Sequence, residues 1–302
     1  MFKLPIGVDI NNLIDDLRFF SWEASDIFNY YSKKLKNKQD VQEIIQKKNG
    51  EDPVTLADLK VNNLIINKIN ENYKEINWDI LSEENVKIGS GNVEKKSKWL
   101  WVLDPLDGTK DFIQGTGNYA LHLALSYQKR PNIGVVLIPE KNELWISDGK
   151  KTWCEKKDGS TRQVNIQNQK RLREMTIVTS KNHRNKTLKE LINKIGFRRV
   201  KVMGSIGCKI ASILRGECDI YISLSLPGKS SPKDWDFAAP EAILKAAGGK
   251  ITNLDNEELS YENQGFKQEG IIIATSNREN HKSVCLEIKK IIEKNELLPI
   301  DL

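Results

Sequence analysis

Histidine and cysteine are scarce in this chain, whose 302 residues include three histidines and four cysteines. No two cysteines form a C-x-x-C pair, and no two histidines stand at the spacing of zinc ligands. These absences disfavour a zinc hydrolase, a thiolate metal cluster and a disulfide framework. Widely separated cysteines without a pairing pattern are typical of a reducing compartment, and we therefore expect a cytoplasmic protein.

Long apolar runs and basic stripes are missing as well. The beginning of the chain has no continuous apolar segment of the kind found in secretory signals, and no stretch approaches the length of a membrane span. The 47 basic and 41 acidic residues are scattered and leave a formal net charge of +6. We therefore expect no nucleic-acid partner and no stable membrane insertion, while a small anionic substrate is compatible with this charge. The sequence leaves both a monomer and a homodimer open.

The overall composition is that of a globular protein with a substantial core, because 39% of the residues are apolar and 29% are charged. Helical patterns followed by strand patterns occur twice along the chain, which predicts a layered α/β architecture. We expect an N-terminal α+β subdomain over residues 1–165 and a C-terminal α/β subdomain over residues 166–302. The seam between them is expected near residues 160–175.

Apolar side chains that recur every three or four residues predict helices, and continuous or alternating apolar runs predict strands. The predicted helices are residues 11–35, the segment opened by DPVTLAD, residues 186–195, residues 207–215, FAAPEAILKAAGG and residues 279–296. The predicted strands lie in WDILSEEN, WLWVLDP, NYALHLALSYQ, NIGVVLIPEKNELWISD, MTIVTS, DIYISL and GIIIATS.

The segment VLDPLDGTKDF ends an apolar strand with two aspartates, a tight turn and a hydroxyl. Unpaired carboxylates at the end of a buried strand are costly, so Asp104 and Asp107 need a cation, a proton or water. Clustered oxygen ligands suit hard cations such as Mg²⁺, and one carboxylate can bridge two of them. The turn exposes the Leu106 carbonyl as a further oxygen ligand. The amides of Gly108 and Thr109, at a predicted helix start, would hold a phosphate.

Further acids stand at the ends of other predicted elements, namely Asp58, the pair Glu83 and Glu84, and Asp236. The Thr109 hydroxyl would hold a water for attack on phosphorus and needs a carboxylate partner, for which Asp58 is the candidate. Simpler interpretations remain open for each acid. Asp58, three residues after a threonine, can be a capping-box acid, and Asp236 can be a helix N-cap. Glu83 and Glu84 can form a solvent-exposed bend, and the DGT segment alone can be an ordinary turn.

None of the three histidines is predicted to take part in catalysis. His122 lies in an alternating strand on the same face as Ala120 and Ala124, which indicates a packed side chain. His183 and His281 lie in polar stretches that we expect to be exposed.

Four segments of the chain occur in the order and spacing of the inositol monophosphatase superfamily, namely DPVTLAD, LSEEN, WVLDPLDGTKDF and WDFAAPEAILKAAGG. The resemblance extends over nearly the whole chain. Within the superfamily, LSEE and DPLDGTKDF are most similar to the bacterial 3'(2'),5'-bisphosphate nucleotidases of sulfur assimilation. Inositol monophosphatases more often carry Asn-Phe after the DGT, where this chain has Lys110-Asp111-Phe112.

The resemblance implies a five-layer αβαβα sandwich of the inositol monophosphatase and fructose-1,6-bisphosphatase type. The N-terminal subdomain would hold the metal site, and the C-terminal subdomain would complete the active site. The implied activity is that of a lithium-sensitive phosphomonoesterase with two or three Mg²⁺ ions and a small phosphorylated substrate. That substrate would be adenosine 3',5'-bisphosphate or PAPS, hydrolysed at the 3'-phosphate. An inositol monophosphatase, a sugar-bisphosphate phosphatase and a non-catalytic nucleotide binder are the alternatives.

Matched position by position, the resemblance also assigns roles to residues. The positions that match metal ligands are Glu83, Asp104, the Leu106 carbonyl, Asp107 and Asp236. Asp58 and Thr109 match the pair that activates the attacking water. The positions that match the substrate-binding site are Leu106, Asp107, Gly108, Thr109, Lys110, Ser205, Lys209 and Asp236. The chain departs from the family pattern in GSIG, where a second serine often follows the first, and this leaves the substrate open.

Overall fold

The computed structural model describes residues 3–46, 53–89, 97–162, 164, 166, 170–181, 185–226 and 228–297. The helices in these residues are α1 (Ile10–Lys36), α2 (Val41–Ile44), α3 (Leu56–Asn72), α4 (Glu83–Lys87), α5 (Thr109–Ile113), α6 (Lys186–Ile195), α7 (Ile206–Leu214), α8 (Asp234–Ala246) and α9 (Arg278–Lys294). The strands are β1 (Ile45–Gln46), β2 (Val54–Thr55), β3 (Asp79–Ser82), β4 (Trp99–Asp107), β5 (Ala120–Tyr127), β6 (Arg130–Ile138), β7 (Glu143–Ser147), β8 (Thr152–Glu155), β9 (Thr161–Arg162), β10 (Thr176–Ser180), β11 (Arg199–Met203), β12 (Ile220–Ser225), β13 (Lys250–Asn253) and β14 (Gly270–Thr275).

A seven-stranded sheet has the order β3-β4-β5-β6-β7-β8-β9, and its strand ends position three of the candidate site acids, Glu83, Asp104 and Asp107. Its first two strands are parallel, so they end at the same edge, where Glu83 follows β3 and Asp107 ends β4. The antiparallel pairing of β4 with β5 is irregular at this end, because Asp104 pairs with His122 while Asp107 pairs with Ala120. Such a bulge re-aims side chains at the end of a strand, and here it carries both aspartates.

A second, five-stranded sheet has the order β11-β10-β12-β14-β13. Strand β10 is parallel to both of its neighbours, whereas β14 is antiparallel to both of its own. The edge strand β11 and the edge strand β13 are not among the strands predicted from the sequence. In β11 the two valines, Val200 and Val202, are 45% and 48% exposed, so this strand lacks the apolar signature of a core element.

Three hydrophobic cores hold five layers together. The first joins α1 and α3 to one face of the larger sheet, with Phe20 and Trp101 among its buried side chains. The second places α7 and α8 between the two sheets, with Phe237 and Tyr221 among its members. The third packs α6 and α9 on the outer face of the smaller sheet around residues such as Ile288. The layer order is αβαβα, which confirms the predicted fold.

The division between the two sheets falls between Arg162, the last residue of β9, and Thr176, the first residue of β10. The predicted subdomain boundary at residue 165 lies outside the described residues, and the two subdomains stay a prediction. Within the described ranges, no helix combines the length and the apolar composition needed to cross a membrane.

The packed position predicted for His122 is confirmed, since its side chain is fully buried. The exposed position predicted for His281 is wrong, because this imidazole is fully buried as well. Its Nε2 lies 2.7 Å from Thr252 Oγ1 on β13, and its Nδ1 lies 2.7 Å from Thr275 Oγ1 on β14. The polar residues around position 281 carry no sign of these distant partners. His183 lies outside the described residues.

This burial predicts a pH-dependent contribution to stability. Burial, with a smaller effect of the Lys250 charge, lowers the pKa of His281 to about 4, while the ordinary value is 6.5. The folded state therefore favours the neutral ring. The contribution of the neutral ring to the free energy of unfolding is complete above pH 6.5, the pKa in the unfolded chain. It is lost as the pH falls from 6.5 toward 4, and about 2 kcal/mol of it is lost by pH 5.

His281→Gln keeps hydrogen-bonding groups between the two threonines and does not titrate. Urea unfolding at pH 7 and pH 5 should therefore show a smaller loss of unfolding free energy in the variant than in the wild-type protein. Equal losses in the two proteins would contradict the assignment of this pH dependence to His281.

Candidate active site

Three aspartates from distant parts of the sequence meet at the end of β4. Asp104 and Asp107 lie at the bulged end of this strand, and Asp236 lies in the first turn of α8. One carboxylate oxygen from each residue lies within 4.8 Å of the other two. Because a single hard cation binds several carboxylate oxygens at once, this arrangement is suited to a metal ion.

Asp107 is fixed by the N-terminus of α7. Its Oδ2 accepts hydrogen bonds from Ser205 Oγ at 2.6 Å, from the Ile206 amide and from the Gly207 amide at 3.3 Å. The buried His122 Nε2 also lies 3.3 Å from this oxygen. Because these hydrogen bonds occupy Oδ2, the other carboxylate oxygen, Oδ1, is the atom available to bind a cation. Supporting contacts of this kind orient metal ligands and tune their affinity.

Glu83, the remaining carboxylate predicted as a ligand, is not among the three grouped aspartates, but after burial its charge helps to raise the pKa of both Asp104 and Asp236. On the other side, Lys87 Nζ lies 2.7 Å from Glu83 Oε1 and 3.0 Å from Glu84 Oε1. Glu84 is buried, so the interpretation of this pair as a solvent-exposed bend is wrong. Sequence reasoning missed Lys87, although its position four residues after Glu83 on a helix is the spacing of an ion pair.

The electrostatics of the cluster favour a bound cation. Burial raises the pKa of the Asp104 carboxyl well above its ordinary value, and the nearby charge of Glu83 is the next cause. Burial also raises the pKa of Asp236, followed by the charge of Asp107. The pKa of Glu83 is raised by burial and opposed by Lys87. A divalent cation would offset this repulsion, and an all-oxygen set of donors fits Mg²⁺.

Asp58 closes the capping box of α3 and also contacts Thr109, so its position is compatible with both of the roles that the sequence left open. Its Oδ2 accepts hydrogen bonds from the amide of Thr55 at 2.8 Å and from Thr55 Oγ1 at 2.5 Å, which completes the capping box of α3. Its Oδ1 lies 3.2 Å from Thr109 Oγ1, which also lies 3.2 Å from the Leu106 carbonyl oxygen. Burial raises the pKa of Asp58 to about 7, against the effect of the Thr55 hydrogen bonds. A carboxylate with this pKa is suited to accept a proton near neutral pH.

The turn between β4 and α5 depends on Gly108. This residue has a φ of +91°, and a Cβ added to it would lie 2.9 Å from the Asn118 carbonyl oxygen. Only glycine meets both the conformational and the spatial requirement. Lys110, two residues later, is exposed and lines the cavity above the cluster. The contacts of Gly108, Thr109 and Lys110 with a phosphate stay a prediction.

Of the two residues predicted as substrate ligands at the start of α7, Lys209 lines the cavity and Ser205 does not. Ser205 is fully buried and caps α7, and its hydroxyl holds Asp107. Lys209 is 2% exposed, lines the cavity, and donates a hydrogen bond to the Gly204 carbonyl. Burial lowers the pKa of the Lys209 ammonium group. Direct substrate contact by either residue stays a prediction.

Asp236 is the third residue of α8 rather than its N-cap, so the simpler interpretation of this residue is wrong in detail. Its Oδ2 accepts a hydrogen bond from the amide of Lys233, the N-cap residue. As with Asp58, one carboxylate oxygen closes a helix end while the residue also belongs to the site. A cap and a metal ligand are therefore compatible roles for one aspartate.

A cavity of about 750 Å³ opens above the aspartates. This volume lies within the range of about 300 to 1,000 Å³ that is usual for small-molecule sites. Both acidic and basic side chains line it. The acids are Glu83, Asp104, Asp107, Asp111 and Asp236, and the lysines are Lys87, Lys110, Lys209, Lys229 and Lys233.

Comparisons with known proteins agree with this geometry. Residues 21–293 match the sequence profile of the inositol monophosphatase family. The 3'(2'),5'-bisphosphate nucleotidase CysQ of Buchnera aphidicola is 33% identical over 211 residues, which are 69% of this chain and 74% of that protein. The fructose-1,6-bisphosphatase/inositol-1-monophosphatase of Thermotoga maritima is 24% identical over 254 residues, 83% of this chain and 88% of that protein. The crystal structure of inositol monophosphatase II from Staphylococcus aureus superimposes with a TM-score of 0.71 at 22% identity, covering 96% of this chain and 99% of that chain.

The match to the family profile and the similarity to the Buchnera aphidicola enzyme show that the chain is a phosphatase of a metal-dependent class, whose members act on small phosphorylated substrates. Within that class, the chain belongs to the inositol monophosphatase family.

Proposed function

We propose that this phosphatase is a Mg²⁺-dependent 3'(2'),5'-bisphosphate nucleotidase. It removes the 3'-phosphate of adenosine 3',5'-bisphosphate, or of PAPS, and releases AMP, or APS, with inorganic phosphate. The observation that carries the proposal is the convergence of Asp104, Asp107 and Asp236 in a cavity that Thr109 also lines. The similarity to a protein named as a bisphosphate nucleotidase supports the choice of substrate.

The donor set of the site fits magnesium, because it consists of carboxylate and carbonyl oxygens and because the carboxyl groups of Asp104 and Asp236 have raised pKa values. The groups that would hold two or three ions are Glu83, Asp104, the Leu106 carbonyl, Asp107 and Asp236. Bound Mg²⁺ supplies positive charge to the phosphoryl oxygens and lowers the pKa of water. The protein supplies the fixed positions of these oxygens, most firmly at Asp107.

Thr109 and Asp58 position the attacking water. When Thr109 Oγ1 donates its hydrogen to Asp58 Oδ1, its lone pairs accept a hydrogen bond from that water. As the water oxygen bonds to phosphorus, its proton passes to Thr109, whose own proton passes to Asp58. The bond from phosphorus to the 3'-oxygen breaks, and a second water protonates the leaving oxygen. Asp58 is suited to this role because the capping box fixes its orientation.

A second enzyme function is supported by one comparison. The Thermotoga maritima relative is named as a fructose-1,6-bisphosphatase and an inositol-1-monophosphatase. The same metal cluster and water-activating pair would serve those substrates, so the difference between the activities lies in the rest of the cavity. A non-catalytic nucleotide binder is disfavoured, because Asp58 and Thr109 are both present and in contact.

A phosphate-release assay on the purified protein tests the proposal. The substrates are adenosine 3',5'-bisphosphate, inositol 1-phosphate and fructose 1,6-bisphosphate, each with and without Mg²⁺ and Li⁺. We expect the highest kcat/KM with the nucleotide, no release after removal of Mg²⁺, and inhibition by Li⁺. A higher kcat/KM with the inositol or sugar phosphate would reject the nucleotidase and leave the phosphatase class intact.

A further inference from the structure

His122 is a fully buried polar residue beside the aspartate cluster that the proposed mechanism does not use. It lies in β5, where it pairs in register with Asp104 on β4. Its side chain projects from the same face of the sheet as Ala120 and Ala124, which pack in one core with residues of α7 and α8. The imidazole ring therefore lies between the elements that carry Asp107 and Asp236.

Both ring nitrogens of His122 face oxygen atoms of the site. Nε2 lies 3.3 Å from Asp107 Oδ2, at the end of β4. Nδ1 lies 3.4 Å from the backbone carbonyl oxygen of Trp235, the residue before Asp236 in α8. One rigid ring thus spans the space between two of the three aspartates, which come from distant parts of the chain.

The ring comes this close to Asp107 because α7 has a glycine at the point of contact. A Cβ added to Gly207 would overlap His122 Nε2, so a larger residue there would displace the ring or the helix. The amides of Ile206 and Gly207 donate to Asp107 Oδ2. The start of α7 and the imidazole therefore approach the same carboxylate oxygen from neighbouring positions.

The position of the ring hydrogen follows from the two acceptors. Burial lowers the pKa of His122, against the charge of Asp107, so the ring is neutral and carries a single N–H. A carboxylate is a stronger acceptor than a backbone carbonyl, which favours the hydrogen on Nε2. Nε2 has no fully formed hydrogen bond among the described residues, and Asp107 Oδ2 is an acceptor within its reach. A buried N–H without an acceptor is costly, so a small adjustment that completes this bond is favourable.

We infer that His122 is a positioning residue for Asp107. Its Nε2–H donates to Oδ2, together with the donors at the start of α7, and so keeps Oδ1 directed toward the cation site. Its contact with the Trp235 carbonyl fixes the spacing between Asp107 and the first turn of α8. This inference rests on the proposed function, since it takes the aspartates as Mg²⁺ ligands, and it is independent of the choice of substrate.

Two variants of His122 test the inference through the affinity for Mg²⁺, measured by isothermal titration. His122→Leu fills the space and removes the N–H, and should raise the Kd for Mg²⁺ about tenfold. His122→Gln carries an amide N–H near the position of Nε2 and should keep the Kd within about threefold of the wild-type value. In steady-state assays, His122→Leu should need more Mg²⁺ for the half-maximal rate, while kcat at saturating Mg²⁺ stays within about threefold.

His281→Gln is the matched control, because it also replaces a fully buried imidazole. His281 lies between threonines of the smaller sheet, and its replacement should leave the affinity for Mg²⁺ unchanged. Thermal unfolding of each variant shows whether it remains folded. A change in Mg²⁺ affinity that occurs at position 122 and not at position 281 therefore reports on the site and not on general damage to the core.

A second measurement uses the metal-free protein and needs no turnover. The chain has only three histidines, so the NMR spectrum of protein labelled with ¹⁵N-histidine is simple to assign from the two variants. We expect the hydrogen of His122 on Nε2. We also expect Asp107→Asn to shift the Nε2 resonance of His122 and to leave the resonances of His281 unchanged.

A hydrogen on Nδ1 of His122, or a His122 spectrum that does not respond to Asp107→Asn, would overturn the inference. Wild-type affinity for Mg²⁺ in His122→Leu, or equal losses in His122→Leu and His122→Gln, would overturn it as well. A wild-type protein that binds no Mg²⁺ would reject the proposed function instead. The spectrum of the metal-free protein would then still decide whether His122 donates to Asp107.

Discussion

Asp107→Asn is expected to abolish Mg²⁺-dependent phosphate release, with a fall in kcat/KM of about 1,000-fold or more. The aspartate uses both oxygens, since Oδ2 accepts hydrogen bonds from Ser205, Ile206 and Gly207, while Oδ1 is left for a cation. An asparagine cannot satisfy both sides. With its oxygen toward α7, its NH₂ group faces the cation, and with the reverse orientation the NH₂ group faces three other donors.

Isothermal titration of the variant with Mg²⁺ measures the cause directly, and we expect the affinity to fall together with turnover. Asp158→Asn is the matched control, because it removes the charge of an exposed aspartate in the loop before β9. This control should behave as the wild-type enzyme. Full turnover by Asp107→Asn would refute the assignment of Asp107 as a metal ligand.

Thr109→Ala is expected to lower kcat by about 100-fold or more while leaving the affinity for Mg²⁺ within about twofold. The threonine hydroxyl lies 3.2 Å from Asp58 Oδ1, and its removal breaks the link between this carboxylate and the attacking water. The hydroxyl is not one of the proposed metal ligands. Loss of the methyl and hydroxyl groups at the start of α5 should therefore affect turnover far more than metal binding.

Thr109→Ser serves as the rescue variant, since it keeps the hydroxyl and removes only a methyl group. It should recover most of the turnover lost in Thr109→Ala. Calorimetric titration with Mg²⁺ and steady-state kinetics on the same preparations separate the two effects. A collapse of Mg²⁺ affinity in Thr109→Ala would show that the proposed division between metal binding and water activation is wrong.

Much of the fold could be predicted from periodicity, because the elements concerned have strong local signals. The helix predicted over residues 186–195 is α6, and the apolar run WLWVLDP lies in β4. The strand β11 was missed, since its basic and half-exposed residues do not form an apolar face. Its formation depends on pairing with β10, which no local pattern shows.

Part of the candidate site could also be predicted, because some of its residues have a strong local signal. The residues of DPLDGT share one short segment, so their chemistry could be inferred before their positions were known. Lys87 was missed, although it lies four residues after Glu83 on a helix and forms an ion pair with it. His281 was placed wrongly, because its burial depends on threonines from two strands that are distant in sequence.

The sequence by itself determined the type of the elements with strong apolar periodicity, the capping box at Thr55 and the placement of acids at the ends of apolar runs. These follow from local sterics, hydrogen bonding and the cost of burying charge. The tertiary structure alone decided that Asp236 meets Asp104 and Asp107, and that α7 holds one oxygen of Asp107. Such convergence depends on how the two sheets pack around α7 and α8, since long-range packing brings together groups that are far apart along the chain.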